Sequence, residues 1–168
     1  MDQTRTGVER RMFLAAAATG LAAGAAAASA LWPTEAGAQA AQTDVEKANL
    51  KTVTDFCAAW ATKDFAKILP FLADDAVYRM SETTPAVTGH AGVRERLGSW
   101  LVSSDSIEFK ILESRAMGPI VINHRIDTFA SATRPLTWEG TGVFFVKDGK
   151  IKEWFDYTIR TIRRPPPA

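Results

Sequence analysis

Ile120-Val121-Ile122-Asn123-His124-Arg125-Ile126-Asp127-Thr128-Phe129 reads as a β-strand, because β-branched and aromatic residues dominate it. Successive strand side chains point to opposite faces. One face therefore carries Ile120, Ile122, His124 and Ile126, and the other carries Val121, Asn123, Arg125, Asp127 and Phe129. Arg125 and Asp127 project side by side from a mostly apolar strand. Charges in such a setting lie at least partly out of water, and their burial is costly unless they are paired.

Working outward, Met117-Gly118-Pro119 is a turn, and Ser106 to Ala116 before it is a second strand running through Ile107, Phe109, Ile111 and Leu112. On the other side Leu136 to Val146 forms a third long strand. Asp148-Gly149 is a hairpin signal leading into Ile151 to Ile162. On that last strand Trp154, Asp156 and Thr158 share a face. Arg163-Arg164-Pro165-Pro166-Pro167 cannot extend a sheet, so residues 163–168 form a tail.

The chain upstream is helical. Val45, Leu50, Val53, Phe56, Cys57 and Trp60 recur at three- and four-residue spacing from Asp44 onward. Asp64 is placed to cap a short helix through Leu69 that Pro70 ends. A short strand over Ala76 to Met80, a loop over Ser81 to Gly89 and a third helix from Ala91 to Leu101 follow. Helices first and long antiparallel strands after them predict an α+β domain, a curved antiparallel sheet wrapped around N-terminal helices. Glycines such as Gly140 and Gly142 let long strands curl and leave an apolar pocket, the default place for a ligand.

Strand parity allows Phe129, Trp138, Gly140, Trp154 and Thr158 to line that pocket, and Phe65, Leu69, Phe71 and Leu72 could close its helical side, although for any one of them core packing is the more usual role. His124, facing away from Arg125, reads as a structural or interface histidine, and Cys57 as a buried apolar residue. His90 reads as a loop residue before a helix, and Asp74-Asp75 and Lys147-Asp148 as turn charges.

The bulk composition narrows the function. The chain has 168 residues, 46% hydrophobic, and a net charge of +1, which offers no broad capture of nucleic acid or anionic lipid. One cysteine excludes an intrachain disulfide and a multi-cysteine metal site, and two histidines argue against a histidine-rich metal centre.

Residues 1–40 stand apart. Arg10-Arg11-Met12-Phe13-Leu14 precedes an Ala/Gly/Leu stretch, and small residues offer cuts after Ala38 or Ala40. This pattern is that of a twin-arginine export signal, read by its export machinery, with a periplasmic or otherwise extracytoplasmic destination. The stretch is long enough for a membrane anchor, but alanine and glycine supply little insertion energy. Cleavage without stable membrane insertion is the expectation, which leaves residues 41–162 as the folded domain.

Two carboxylates sharing one arginine would be chemically useful. The planar guanidinium can bond both. One acid can stay ionised as a base while the other, competing for the same cation, holds a proton. On spacing alone, a structural ion pair accounts equally well for Arg125 and Asp127.

Tyr78, His124-Arg125-Ile126-Asp127, Gly142-Val143-Phe144 and Trp154-Phe155-Asp156-Tyr157 together resemble the limonene-1,2-epoxide hydrolase family. That family is a branch of the NTF2-like (SnoaL-like) superfamily of cone-shaped domains, and the resemblance runs from about Asp44 to Ile159. It implies that Asp156 takes a proton from water, Asp127 protonates the epoxide oxygen, Arg125 bridges the two and Tyr78 helps hold the water. It implies one-step opening of an apolar small-molecule epoxide with no metal or organic cofactor, and a homodimer.

One position departs from the family. An asparagine two residues after the tyrosine is a further water ligand there, and this chain has Met80, with Ser81 one residue beyond and Glu82 in the same loop. A thioether accepts hydrogen bonds weakly. A C-terminal helix usual in the family is disfavoured by Pro165 to Pro167. Two other readings fit the superfamily: proton transfer of the ketosteroid-isomerase or polyketide-cyclase type, and a ligand-binding or dimerisation module without chemistry. Neither needs Arg125 between Asp127 and Asp156.

Overall fold

The structure is a computed structural model that describes residues 41–133 and 135–163. The expected export signal and the tail beyond Arg163 lie outside the described residues. Helix α1 spans Asp44–Ala59 and continues into a 3-10 turn at Trp60–Thr62; α2 is Phe65–Ile68, followed by a 3-10 turn at Leu69–Phe71. Strand β1 is Leu72–Arg79, β2 is Val87–Thr88, α3 is Gly89–Ser103, β3 is Ser106–Met117 and β4 is Ile120–Ala130. The last two strands are β5, Leu136–Lys147, and β6, Lys150–Arg163. The architecture is α+β, as expected.

The start of α1 is fixed by a reciprocal cap. Glu46 N–H donates to Thr43 Oγ1 (3.2 Å) and Thr43 N–H donates to Glu46 Oε2 (2.8 Å). The other Glu46 oxygen accepts from the Gly118 N–H at 2.9 Å, and Asn49 donates to the Gly118 carbonyl at 2.9 Å. The helix is thereby clasped to the β3–β4 turn, where Gly118 takes a φ of 57°. The Gly118 and Thr43 amides hold the Glu46 carboxyl below its ordinary range. Val53, Phe56, Cys57 and Trp60 are buried as the periodicity requires, but Val45, at the exposed N-terminal end, is 63% accessible. Asp64 caps α2 by accepting from the Ala66 N–H at 2.8 Å.

The sheet runs in the order β2-β1-β6-β5-β4-β3. From β3 to β6 it is antiparallel, and the β5–β6 turn carries Asp148 and Gly149 at φ values of 52° and 72°. The sheet is mixed rather than wholly antiparallel, because β1 joins β6 in parallel, pairing Tyr78 with Trp154. Extra residues interrupt the register between Ile111 and Glu113, and opposite Glu139/Gly140 and Phe145/Val146. Each such bulge bends its strand, and together they curve the sheet without closing it.

Several local expectations change. β1 begins at Leu72, so Asp74 and Asp75 are strand residues, with Asp75 paired to Lys152 of β6. Two residues of the expected 81–89 loop form β2 against β1. His90 lies in the first turn of α3, its Nε2 3.3 Å from the Leu72 carbonyl. β6 includes Arg163, which sequence reading places in the tail.

Helix α1 packs on β3 and α3 on β1, so the hollow of the sheet faces the helices. The core there is aromatic: Phe56 meets Trp154 edge-on at 5.0 Å between centroids, and Trp60 stacks on Phe109 at 5.0 Å.

Candidate active site

Alternation along β4 turns Asn123, Arg125 and Asp127 into the hollow, and all three are buried. Arg125 is fully enclosed. It donates through Nε to both oxygens of Asp127 (3.0 and 3.1 Å), through Nη1 to Asn123 Oδ1 (3.0 Å) and through Nη2 to Asp156 Oδ1 (2.7 Å). Arg125, Asp127 and Asp156 therefore do come together.

Asp156 stands on β6, and β5 lies between it and Arg125. The register places Asn123, Gly142 and Asp156 side by side across the three strands. A Cβ at residue 142 would collide with Arg125 Nη1 and stand 2.6 Å from Phe144 Cε2 and 2.9 Å from Asn123 Oδ1. Gly142 is the gap through which the guanidinium crosses β5. Rings surround the cation, with Trp138 and Phe109 at 5.0 and 5.3 Å from Cζ to centroid.

Two partners in this network escape the sequence reading. Asn123 takes one guanidinium donor and gives its own amide to Cys57 Sγ at 3.6 Å. Trp154, expected only as a pocket wall, donates its indole N–H to Asp156 Oδ1 at 2.8 Å. The period-two alternation that places both on the inner face was the available signal.

The electrostatics separate the acids. Burial works against the Arg125 charge, but Asp156 and Asp127 outweigh it and raise its pKa, so the cation is permanent. Burial lifts the Asp127 carboxyl to about 7, with Arg125 opposing the rise and Asp156 adding to it. Burial also raises Asp156, against Arg125 and the Trp154 N–H. Asp156 receives two donors on one oxygen, whereas the oxygens of Asp127 share a single Nε–H. Hydrogen bonds to the charged form favour it, so Asp127 is the better holder of a proton and Asp156 the better base. Burial pushes the Tyr78 phenol well above its ordinary value and the Cys57 thiol to about 12, leaving both neutral.

A cavity of about 340 Å³ opens from these acids. Tyr78, Trp60, Trp154, Asp127 and Asp156 lie at its buried end; Phe109, Phe129, Leu136 and Trp138 line its half-buried walls, and Thr158 and Thr161 are exposed at its mouth. Tyr78 lies against Trp154, centroids 4.0 Å apart. Met80 and Ser81 also line the cavity, with the Ser81 hydroxyl paired to Thr84.

The helical wall differs from expectation. Trp60, Leu97 and Trp100 form it, while Phe65, Leu69, Phe71 and Leu72 pack elsewhere in or against the core. Gly140 does not line the cavity; it works from behind, since a Cβ there would collide with the Trp138 indole. Trp138 Nε1–H donates to Thr158 Oγ1 at 3.0 Å, and Glu82 reaches over to accept the Thr158 N–H at 2.7 Å. The loop after β1 is thus strapped to β6 at the mouth. His124 lies on the outer face, 3.1 Å from Glu139 Oε1. Among the described residues no three His, Cys, Asp or Glu side chains converge as a metal site requires.

The profile of the SnoaL-like domain family matches residues 53–154, more than half of the chain. No curated protein sequence matches significantly. Among solved structures, an LEH-like epoxide hydrolase from M. tuberculosis is similar at 27% identity and a TM-score of 0.56, over 67% of this chain and 84% of that one. TerC co-crystallised with polyporic acid shares 18% identity (TM-score 0.57, 66% and 91% covered). Bal32a, from a soil-derived mobile gene cassette, shares 16% (TM-score 0.60, 69% and 92% covered).

Proposed function

The chain belongs to the SnoaL-like domain family and has the NTF2-like fold, and from that premise we propose that it is an epoxide hydrolase acting on an apolar small molecule. One observation carries this reading: a buried arginine bonded to two carboxyl groups of unlike proton affinity at the closed end of an aromatic cavity. Neither simple ligand binding nor a single-base proton transfer needs that arrangement. The likeness to the LEH-like epoxide hydrolase supports it.

In this mechanism a water molecule is held between Tyr78 and Asp156. Asp156 takes one of its protons as the water oxygen bonds to an oxirane carbon. The carbon–oxygen bond on the opposite side breaks, and its electron pair goes to the departing oxygen, which receives the proton of Asp127. The product is a vicinal diol. Asp156 then holds the proton and Asp127 is ionised, so loss of that proton from Asp156 and gain of one by Asp127 restores the starting state. Each transfer contributes about 10²–10⁴ in rate. Met80 contributes only a weak acceptor, so the Ser81 hydroxyl is the nearer substitute for the family's asparagine. The export signal would place this activity outside the cytoplasm.

The test incubates purified protein with cyclic and acyclic epoxides in water enriched in oxygen-18 and looks for diols. One-step opening places label in the product of the first turnover. Asp156→Asn is expected to abolish diol formation with the fold intact; retained turnover in that variant removes Asp156 from the mechanism.

A further inference from the structure

The cavity's indoles are used differently. Trp138 donates to Thr158 at the mouth, and the Trp60 N–H is buried without a partner. Trp154 points its N–H at an acid of the proposed mechanism, 2.8 Å from Asp156 Oδ1. Arg125 Nη2 reaches the same oxygen at 2.7 Å. Among the described residues no donor is recorded on Oδ2.

We propose that Trp154 is a positioning residue: with Arg125 it saturates Oδ1 of Asp156 and so dedicates Oδ2 to taking the proton from water. The catalytic use of that proton rests on the function proposed above, whereas the dedication of one oxygen rests on geometry alone. A carboxylate with one donor can rotate and offer either oxygen. Two donors from different directions on one oxygen fix the plane of the group, and a fixed plane holds the free lone pairs on the cavity side.

Trp154 is itself well held. It is 2% exposed, with its ring between Tyr78 at 4.0 Å and Phe144 at 6.2 Å, and Phe56 edge-on. Tyr78 and Trp154 are paired across β1 and β6, so the residue that holds the water and the residue that orients the base occupy one rung. The other titratable groups acting near Asp156 are Arg125 and Asp127 from β4, Glu82 from the loop, Tyr78 from β1 and Cys57 from α1. All of them persist when Trp154 is changed.

The experiment replaces Trp154 with Phe and, by non-natural amino-acid incorporation, with 3-benzothienylalanine, which keeps the indole outline but has no N–H. Carboxyl carbon-13 NMR follows Asp156 and Asp127 against pH in both variants, and epoxide turnover is measured alongside. The expected result is an upward shift of the Asp156 titration by about one unit, the effect of losing a hydrogen bond to a charged group. The acidic limb of the rate profile moves with it, and kcat falls about tenfold while KM stays within about twofold, since only the reacting base is disturbed. A benzothienyl variant with an unchanged Asp156 titration overturns the proposal, whatever the Phe variant does to stability. Should the unaltered protein open no epoxide, the function fails while the NMR titration still decides the role of Trp154.

Discussion

Arg125 Nη2 lies 2.7 Å from Asp156 Oδ1 although a whole strand, β5, runs between the residues that carry them. The bond exists because Gly142 leaves the crossing open. The geometry of the site depends on an absence of side chain as much as on the charged groups themselves.

Gly142→Ala is therefore expected to destabilise the protein by about 1–3 kcal/mol, the usual cost of an added methyl in a full site, and to lower diol formation by at least about tenfold. Urea denaturation and initial rates measure both. Gly98, in α3 with nothing within 4 Å of its would-be Cβ, is the control: Gly98→Ala should stabilise by up to about 1 kcal/mol and leave the rate unchanged.

Arg125→Met removes the cation and leaves two buried acids facing each other. A lone partner of a broken buried pair costs about 3–5 kcal/mol. Both carboxyls then hold protons more tightly, so the loss should be larger at pH 8 than at pH 5. Thermal melts at the two values check it, and a loss independent of pH would contradict it. Lysine offers a point charge without the planar fork and should not restore activity.

Asp127 is the acid of the proposed mechanism, with its carboxyl raised to about 7. Its folded-state affinity for protons exceeds that of the unfolded chain, so its contribution to stability is complete below the ordinary carboxylate range and is lost as pH rises through about 7. The rate should fall over the same upper interval, because the donor is then ionised. Asp127→Asn should flatten the decline in stability between pH 4 and 8, measured by denaturant titration. The limbs of the rate profile belong to the coupled pair of acids.

Glu82 touches the backbone of Thr158 and none of the reacting groups. Glu82→Ala should free the loop bearing Met80 and Ser81, raising KM several-fold through loss of about 1 kcal/mol of hydrogen bonding, with kcat little changed. Faster proteolysis within residues 80–86 is the accompanying sign.

Much of this site was legible in the amino-acid order. Alternation in β4 and β6 assigns Arg125, Asp127 and Asp156 to one face, because a strand's period of two is rigid. What alternation cannot supply is which strands neighbour one another. The parallel pairing of β1 with β6 joins residues some eighty positions apart, and no local pattern announces it. For the same reason α1 and α3 show which faces are buried, but not that Trp60, Leu97 and Trp100, rather than Phe65 or Phe71, meet the cavity. Trp154 and Asn123 were visible as inward residues, yet their bonds depend on side-chain direction. Glu82 stands in a loop where no local pattern points to a partner, and the open edge of β6 beyond Arg79 gives it one.

The place of β6 in the sheet order bears on how the molecule is made. Of the described strands β6 comes latest in the chain and lies between β1 and β5, so β2-β1 and β5-β4-β3 cannot join into one sheet until it has emerged. Asp156 arrives with that strand. Shortened chains ending before β6 would then lack both the joined sheet and one of the two acids that Arg125 holds, so shape and site are completed in one late event.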